Sequence, residues 1–123
     1  MARVSKGAVG EVLAARYLRD QGYELLGANY RTRFGEIDII ASDGAYIVFV
    51  EVKTRAQNSY YAPREAVTAA KQRRIIKTAL LFLSQHPTKL QPRFDVIEIV
   101  TAVGQPMKLL ELNHLKNAHG GSL

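Results

Sequence analysis

Residues 35–55 decide the fold of this chain, and they read GEIDIIASDGAYIVFVEVKTR. Two segments rich in isoleucine and valine, residues 36–41 and 46–54, flank a short polar stretch that contains Asp43-Gly44. An Asp-Gly pair between two such segments is among the strongest signals for a β-hairpin. We therefore predict two antiparallel strands joined by a tight turn.

The hairpin is predicted to place acidic side chains together. Side chains alternate across a strand, so Glu36 and Asp38 share one face, which Glu51 and Lys53 also occupy on the second strand. A loop of two or four residues sets Glu36 opposite Glu51 and Asp38 opposite Phe49. Asp38 is then diagonal to Glu51, at about 7–8 Å between backbones, which allows both carboxylates to hold one cation.

This acidic face predicts a metal site. Like charges placed opposite each other destabilise a sheet, so a purely structural role for three acids is costly. Mg²⁺ prefers oxygen ligands, takes one or two carboxylates and keeps several waters, which suits Asp38 and Glu51. Lys53 would stabilise charge that develops on a phosphate, or hold an attacking water. The alternative is an exposed face of Glu-Lys pairs, which the neighbouring apolar side chains disfavour.

Two polar residues lie on apolar helix faces, and each has two interpretations. Glu11 precedes Ala14, Ala15 and Leu18 at helical spacing, and a buried acid needs a partner or a cation. It either leans toward the hairpin or pairs with a base such as Arg55. Gln72 either faces the site or caps its own helix.

Five further elements are predicted along the chain. The first helix is capped by Ser5 and ends near Gln21, with Gly22 in a left-handed conformation, and the second is capped by Thr68 and ends near His86. The strands are at 23–30, 93–101 and 107–112. The second helix should bury Ile75, Ile76, Ala79, Leu80 and Leu83. The composition of residues 55–67 is typical of a long functional loop. The chain from Asn113 onward is expected to be a frayed tail.

Composition limits the classes of function. The 123 residues are 47% hydrophobic and include no cysteine, which excludes disulfides and thiolate metal sites and favours a cytoplasmic location. We expect one domain over residues 1–118 and a flexible tail over 119–123. No apolar run is long enough for a signal peptide or a membrane span. The net charge of +6 favours nucleic acid as partner, DNA foremost, although many proteins are basic for solubility alone.

The basic residues are concentrated beside the hairpin. Seven of the 17 lie between positions 53 and 77. From this stretch we predict five nucleic-acid contacts: Arg55, Lys71, Arg73, Arg74 and Lys77. The histidines, His86, His114 and His119, have no ligand spacing and are expected at the surface. Asp95 is expected to form a salt bridge or a cap rather than to bind metal.

Five segments carry a family resemblance: Gly10-Glu11, Gly35-Glu36-Ile37-Asp38, residues 49–55, Lys71, and Arg93-Phe94-Asp95-Val96. The chain resembles the PD-(D/E)xK nuclease superfamily and, within it, the bacterial YraN family. The resemblance implies an α/β fold with a restriction endonuclease-like core, a mixed β-sheet flanked by helices in the order α-β-β-β-α-β-β. It also implies Asp38 and Glu51 as metal ligands and Lys53 as a catalytic residue. We count Glu11, the nearby acid on the first helix, with the candidate catalytic residues. Ile37 stands where the superfamily name has proline.

The expected function is a Mg²⁺- or Mn²⁺-dependent endonuclease that acts on DNA, including branched or recombination intermediates like those cut by the similar archaeal Holliday junction resolvases. Junction resolution would need two active sites and hence a homodimer, although the sequence shows no interface. Two alternatives stay open, a non-catalytic DNA-binding or adaptor module and an RNA nuclease, because one fold hosts several functions.

Overall fold

The computed structural model describes residues 6–59 and 68–118, which form two helices and five strands. In chain order these are α1 (Lys6–Asp20), β1 (Glu24–Thr32), β2 (Gly35–Ser42), β3 (Tyr46–Ala56), α2 (Ala69–Gln85), β4 (Gln91–Ala102) and β5 (Gln105–Leu115). The predicted α/β class and the order α-β-β-β-α-β-β are confirmed.

The five strands form one mixed sheet in the order β1-β2-β3-β4-β5. Neighbouring strands are antiparallel except β3 and β4, which are parallel from Tyr46↔Gln91 to Ala56↔Thr101. A parallel pair needs a crossover connection, and α2 lies within this crossover. The central strand β3 therefore has an antiparallel neighbour on one side and a parallel neighbour on the other.

One core layer lies between α1 and the sheet. Val9, Leu13 and Leu18 of the helix are buried against residues of β2, β3 and β4, including Val48 and Ile97. After the helix, Gly22 adopts a φ of 93°, which confirms the predicted left-handed stop. The first helix thus covers the middle of the sheet.

Glycine at position 10 allows α1 to approach β3 closely. A Cβ atom built on Gly10 would lie 2.0 Å from Thr54 Oγ1, whereas one built on Gly7 meets nothing within 4 Å. No larger residue fits at position 10 without a shift of the helix or of the Thr54 side chain. This contact brings the following residue, Glu11, to the sheet.

The other core layer lies beneath α2. The Thr68 side chain accepts a hydrogen bond from Lys71 N, as expected of the predicted N-cap. Ile75, Ala79 and Phe82 pack on the sheet. The expectation that Leu80 is buried is wrong, since it is 49% exposed; Phe82, two positions later, takes that place in the core.

The register of the β2–β3 hairpin differs from the prediction by two residues. Ile40, not Asp38, lies opposite Phe49. The Asp43 carboxylate accepts hydrogen bonds from Ala45 N at 2.9 Å and Tyr46 N at 2.8 Å, so Asp43 precedes the turn instead of occupying it. A turn displaced by one residue moves the pairing by two and keeps each side chain on its predicted face.

The last strand is longer than predicted. Asn113 and His114 are expected from the sequence in a frayed tail, but both belong to β5, which ends at Leu115. Asn113 Nδ2 donates to Glu98 Oε1 at 2.9 Å. Side-chain contacts to β4 therefore extend the strand beyond its apolar part.

Three predictions fall outside the described residues: the Ser5 cap, most of the loop at 55–67, and the tail at 119–123 with His119. The loop's first two residues, Arg55 and Ala56, belong to β3. Neither α1 nor α2 is long and apolar enough to cross a bilayer.

We predict that Gly10→Ala lowers the free energy of unfolding by about 1–3 kcal/mol, because its Cβ overpacks the contact with Thr54. Gly7→Ala is the matched control on the same helix and should be neutral or slightly stabilising, since alanine favours helix. Urea denaturation of both variants measures the difference. Equal stabilities would show that α1 does not depend on this close approach.

Candidate active site

A cavity of about 100 Å³ opens between β2, β3 and the start of α2. Its lining includes three of the predicted acids on the hairpin, together with one base from the helix. The residues that line it are Glu36, Ile37, Asp38, Phe49, Val50, Glu51, Lys71, Ile75 and Asp95. The hairpin and α2 thus bring the central sequence motif into one pocket.

Asp38 is a half-buried carboxylate surrounded by other acids. Its Oδ2 accepts a hydrogen bond from Val52 N at 2.8 Å. Burial, together with the charges of Glu11, Glu51 and Glu36, raises the pKa of Asp38 to about 6, against the effect of the Val52 hydrogen bond. Asp38 therefore keeps its proton up to about pH 6, well above an ordinary aspartate, and a bound cation would favour its charged form.

Glu51 has one oxygen in ion pairs and one without a partner. Oε1 accepts from Lys53 Nζ at 2.9 Å and from Lys71 Nζ. Burial alone would raise the pKa of Glu51, but these two ammonium groups hold it below its ordinary value. Oε2 is buried and has no hydrogen-bond partner among the described residues. A buried oxygen of this kind is costly unless a ligand or water satisfies it.

Lys53 keeps its charge in this pocket. Burial would lower its pKa, but the hydrogen bonds that it and Lys71 share around Glu51, with the charges of Glu51 and Asp38, hold the pKa above its ordinary value. Only 18% of its side chain is exposed. Lys53 is therefore a fixed, partly desolvated cation and not a proton acceptor.

The site fits a hard divalent cation with few protein ligands. The described residues contain no group of three or more Asp, Glu or His side chains placed to hold a metal. Asp38 and Glu51 form a pair, and Glu51 Oε2 offers an unsatisfied oxygen. Mg²⁺ commonly binds one or two carboxylates and keeps its remaining waters. A cation held by Asp38 and Glu51 would be of this type.

Glu36 lines the pocket, whereas Glu11 lines a separate cavity between α1 and β1. The negative charge of Glu11 raises the pKa of Asp38, while the Asn29 side-chain nitrogen, with the amide oriented to donate, lies 3.1 and 3.3 Å from the two Glu11 oxygens. Glu36 forms an ion pair with Arg31 at 3.1 Å. Glu11 is thus paired with Asn29 of β1 and not with Arg55, and it affects Asp38 through its charge.

The predicted nucleic-acid contacts separate into three groups. Arg73, Arg74 and Lys77 are exposed on α2. Arg55 pairs with Glu98 at 3.2 Å and donates to Ser59 O at 2.9 Å, so it is not placed with Glu11. Lys71 lies in the pocket, and Gln72, half-buried in the next position, donates its backbone N–H to Thr68 O.

Sequence reasoning missed the direct contact between Lys71 and Glu51. The two residues are 20 positions apart, and the contact depends on where the crossover places the first turn of α2. A signal existed, because Lys71 follows Thr68 at the spacing of a capped first turn. Sequence reasoning also assigned no role to Arg31 and Arg33, because in the sequence they only mark the polar end of a strand.

Comparison with known proteins gives a family. The model of the uncharacterised protein family UPF0102 matches residues 10–99. The chain belongs to this family. A UPF0102 protein from Rhodococcus opacus is 47% identical over 116 residues, 91% of this chain and 93% of the relative. One from Caldanaerobacter subterraneus is 43% identical over 122 residues, 96% and 99% of the two chains.

A third UPF0102 protein, from Symbiobacterium thermophilum, is 51% identical over 94 residues, 76% of this chain and 80% of the relative. The region matched by the UPF0102 model extends from Gly10 to Ile99 and so contains every candidate catalytic residue, from Glu11 to Lys71. It stops before His114 in β5.

His114 belongs to a buried polar cluster, which corrects its assignment to the surface. Its Nε2 is 2.7 Å from Asp95 Oδ2 and its Nδ1 is 2.9 Å from the Tyr17 hydroxyl. Arg93 and the Asn117 backbone N–H also donate to Asp95. The prediction of a salt-bridging role for Asp95 is confirmed. The cluster joins α1, β4 and β5 and is structural.

We predict that Asp38→Asn in EDTA stabilises the protein at pH 7 relative to wild type. The native pKa of about 6 exceeds the ordinary 3.8, so protonation of Asp38 stabilises the native state at low pH, and this contribution is lost as pH rises through 6. The loss should be about 1–2 kcal/mol, allowing for solvent screening.

The measurement is the free energy of unfolding of both proteins in urea at pH 5 and pH 7. Wild type should lose stability relative to Asp38→Asn over this interval. Glu24→Gln removes an exposed acid and should follow wild type. A variant strongly destabilised at pH 7 would instead make Asp38 a structural hydrogen-bond acceptor.

Proposed function

We propose that this protein is a metal-dependent endonuclease that hydrolyses phosphodiester bonds in DNA, on a restriction endonuclease-like core of the PD-(D/E)xK type. One observation carries the proposal: Glu51 binds two lysines through Oε1, while its buried Oε2 has no hydrogen-bond partner among the described residues. Burial and neighbouring acids raise the pKa of the nearby Asp38. An acidic pocket that is incomplete without a cation, flanked by fixed ammonium groups, suits phosphate chemistry.

Asp38 and Glu51 would hold Mg²⁺ or Mn²⁺. Such an ion supplies a Lewis acid and a water of lowered pKa when bound. Lys53, which is fixed and charged, would donate to a non-bridging phosphate oxygen and stabilise the charge that develops there. Glu11 adds negative charge near Asp38 and so strengthens cation binding, which is the role its position supports.

Lys71 would have two successive partners. In the pocket its ammonium group contacts Glu51 and partly neutralises the acids. A cation held by Asp38 and Glu51 reduces that electrostatic attraction, which allows Lys71 to contact a phosphate. Its predicted role as a nucleic-acid ligand is kept, but inside the pocket rather than on the surface.

A non-catalytic DNA-binding module is the second candidate. The Lys53 and Lys71 ion pairs with Glu51 would also suit a structural network between hairpin and helix. Such a network does not explain why Glu51 Oε2 is buried without a hydrogen-bond partner among the described residues, or why the pKa of Asp38 is raised. Cleavage by the purified protein separates the two candidates.

DNA binding is supported by the charge of the exposed surface. Arg73, Arg74 and Lys77 are exposed on α2, and Lys71 in the first turn of the same helix lines the pocket. A duplex bound across these residues would have its backbone close to Glu51. RNA is an outcome that the same assays would reveal.

We predict that Asp38→Asn, Glu51→Gln and Lys53→Ala each lower cleavage of DNA in Mg²⁺ or Mn²⁺ by about 100-fold or more. Binding should persist, because these groups act mainly on the transition state. Single-turnover cleavage and binding are measured on linear and branched DNA and on RNA. Near-wild-type cleavage by pure Glu51→Gln would refute the assignment.

Metal binding is checked without activity. At a hundredfold excess over its dissociation constant, a cation that binds only the native state stabilises it by about 2.7 kcal/mol. The melting temperature of wild type should therefore rise with Mn²⁺, and that of Asp38→Asn should rise less. Glu24→Gln serves as the control with an intact pocket.

We further predict that replacing Arg73, Arg74 and Lys77 with alanine weakens DNA binding and flattens its salt dependence. The slope of log K against log salt should fall by about one unit for each phosphate that the variant no longer neutralises. The matched control replaces three exposed cations elsewhere, Arg16, Arg19 and Lys116. An unchanged slope in the α2 variant would place the DNA on another face.

A further inference from the structure

A second cavity, of about 530 Å³, lies between the β1–β2 turn and the last turns of α2. We call it the turn groove. Seven residues line it: Tyr30, Arg31, Thr32, Arg33, Phe34, Leu81 and Gln85. The ion pair between Arg31 and Glu36, at 3.1 Å, connects it to the active-site cavity that Glu36 lines. The two cavities are therefore both bordered by the region around the start of β2 and by α2, the active-site cavity at the first turns of the helix and the turn groove at its last turns.

Phe34 lies at the tip of this turn, and two cations lie near its ring. The Arg33 guanidinium carbon is 4.9 Å and the Lys77 Nζ is 5.9 Å from the centre of its ring. Cations at this distance are attracted by the ring. A half-buried aromatic ring flanked by positive charge from a turn and from a helix is a combination that recognises both a base and its phosphate.

The turn that carries Phe34 is held in place before any ligand binds. Phe34 N donates to Thr32 Oγ1 at 3.1 Å, and the same hydroxyl donates to Gly35 O at 3.2 Å. Binding to an ordered turn avoids the entropic cost of ordering a loop. The turn groove is therefore a preformed site.

The opposite wall provides apolar and polar contacts. The Tyr30 ring packs edge-on against Phe82 at 5.3 Å, and its hydroxyl donates to Gln85 Oε1 at 3.0 Å. This hydrogen bond orients the Gln85 amide, whose nitrogen carries two N–H donors. Leu81 adds apolar surface. A nucleobase, with flat apolar faces and acceptor atoms at its edges, matches these walls.

We propose that the turn groove binds one unpaired nucleotide of the substrate, with its base stacked on Phe34 and its phosphate beside Arg33 and Lys77. This inference rests on the proposed function and narrows its substrate class. Bases within a duplex are stacked on each other and cannot enter the groove. The preferred substrate is then a duplex that carries a single-stranded arm, flap or branch next to the cleavage position.

The test measures binding in EDTA, where no cleavage occurs, by fluorescence anisotropy. A duplex with a single-stranded overhang is compared with a blunt duplex of equal length. Wild type should prefer the overhang by about 5- to 100-fold, the range expected for one stacked base. Phe34→Leu should remove this preference and leave blunt-duplex binding unchanged, whereas Phe34→Tyr should keep it. An overhang made of RNA shows which sugar the groove accepts.

Tyr46→Leu is the matched control. Tyr46 also has a guanidinium over its ring, that of Arg93 at 4.9 Å, but it lies at the opposite end of β2, beyond the β2–β3 turn. This variant should bind like wild type. If Phe34→Leu does not fold, Arg33→Ala at the exposed turn replaces it and should lower the preference for the overhang.

Direct stacking is read from 2-aminopurine placed at the first unpaired position. Its fluorescence should be quenched by wild type and Phe34→Tyr, and not by Phe34→Leu. Equal affinity of wild type for both duplexes, or an equally reduced preference in Tyr46→Leu, would overturn the proposal. If the protein cleaves DNA but shows no preference for the overhang, only the proposed role of the turn groove is refuted. If it prefers the overhang but never cleaves, only the proposed nuclease activity is refuted.

Discussion

The rest of the structure depends on the boundary between the fully buried and the half-buried part of the central strand, β3. β3 is buried on both faces from Ile47 to Val50 and half-buried from Glu51 onward. Both helices pack on the fully buried half, which excludes water there. Glu51 is the first residue past this boundary and lies in an environment of lowered dielectric, where charge interactions are stronger than in water. The chemistry of the pocket follows from this position.

At that boundary a single carboxylate oxygen joins two layers of the protein. Glu51 Oε1 contacts Lys53 from its own strand and Lys71 from α2. Removal of one partner of a buried ion pair leaves an uncompensated charge, which is strongly destabilising. The two lysines therefore also stabilise the docking of α2 on the hairpin, and the proposed catalytic role of Glu51 overlaps with a structural one.

Much of the fold was predictable because local signals agree with the final contacts. The Thr68 cap, the Gly22 stop and the alternation of the hairpin all act within a few residues. The predicted hairpin register was wrong because the Asp43 side chain, rather than the Asp-Gly pair alone, fixes the turn. The site was predictable as far as it lies on one hairpin. Lys71 and His114 gain their contacts through tertiary packing, which spacing alone does not encode.

The cap of α2 has a consequence for the motion of the pocket. Thr68 Oγ1 accepts the backbone N–H of Lys71, the residue whose ammonium group contacts Glu51. Helix ends fray, and helix–coil relaxation takes about 0.1–1 μs in peptides. Each opening of this first turn would withdraw a positive charge from the acids and each closing would return it. The field inside the pocket therefore fluctuates with the fraying of one helical turn.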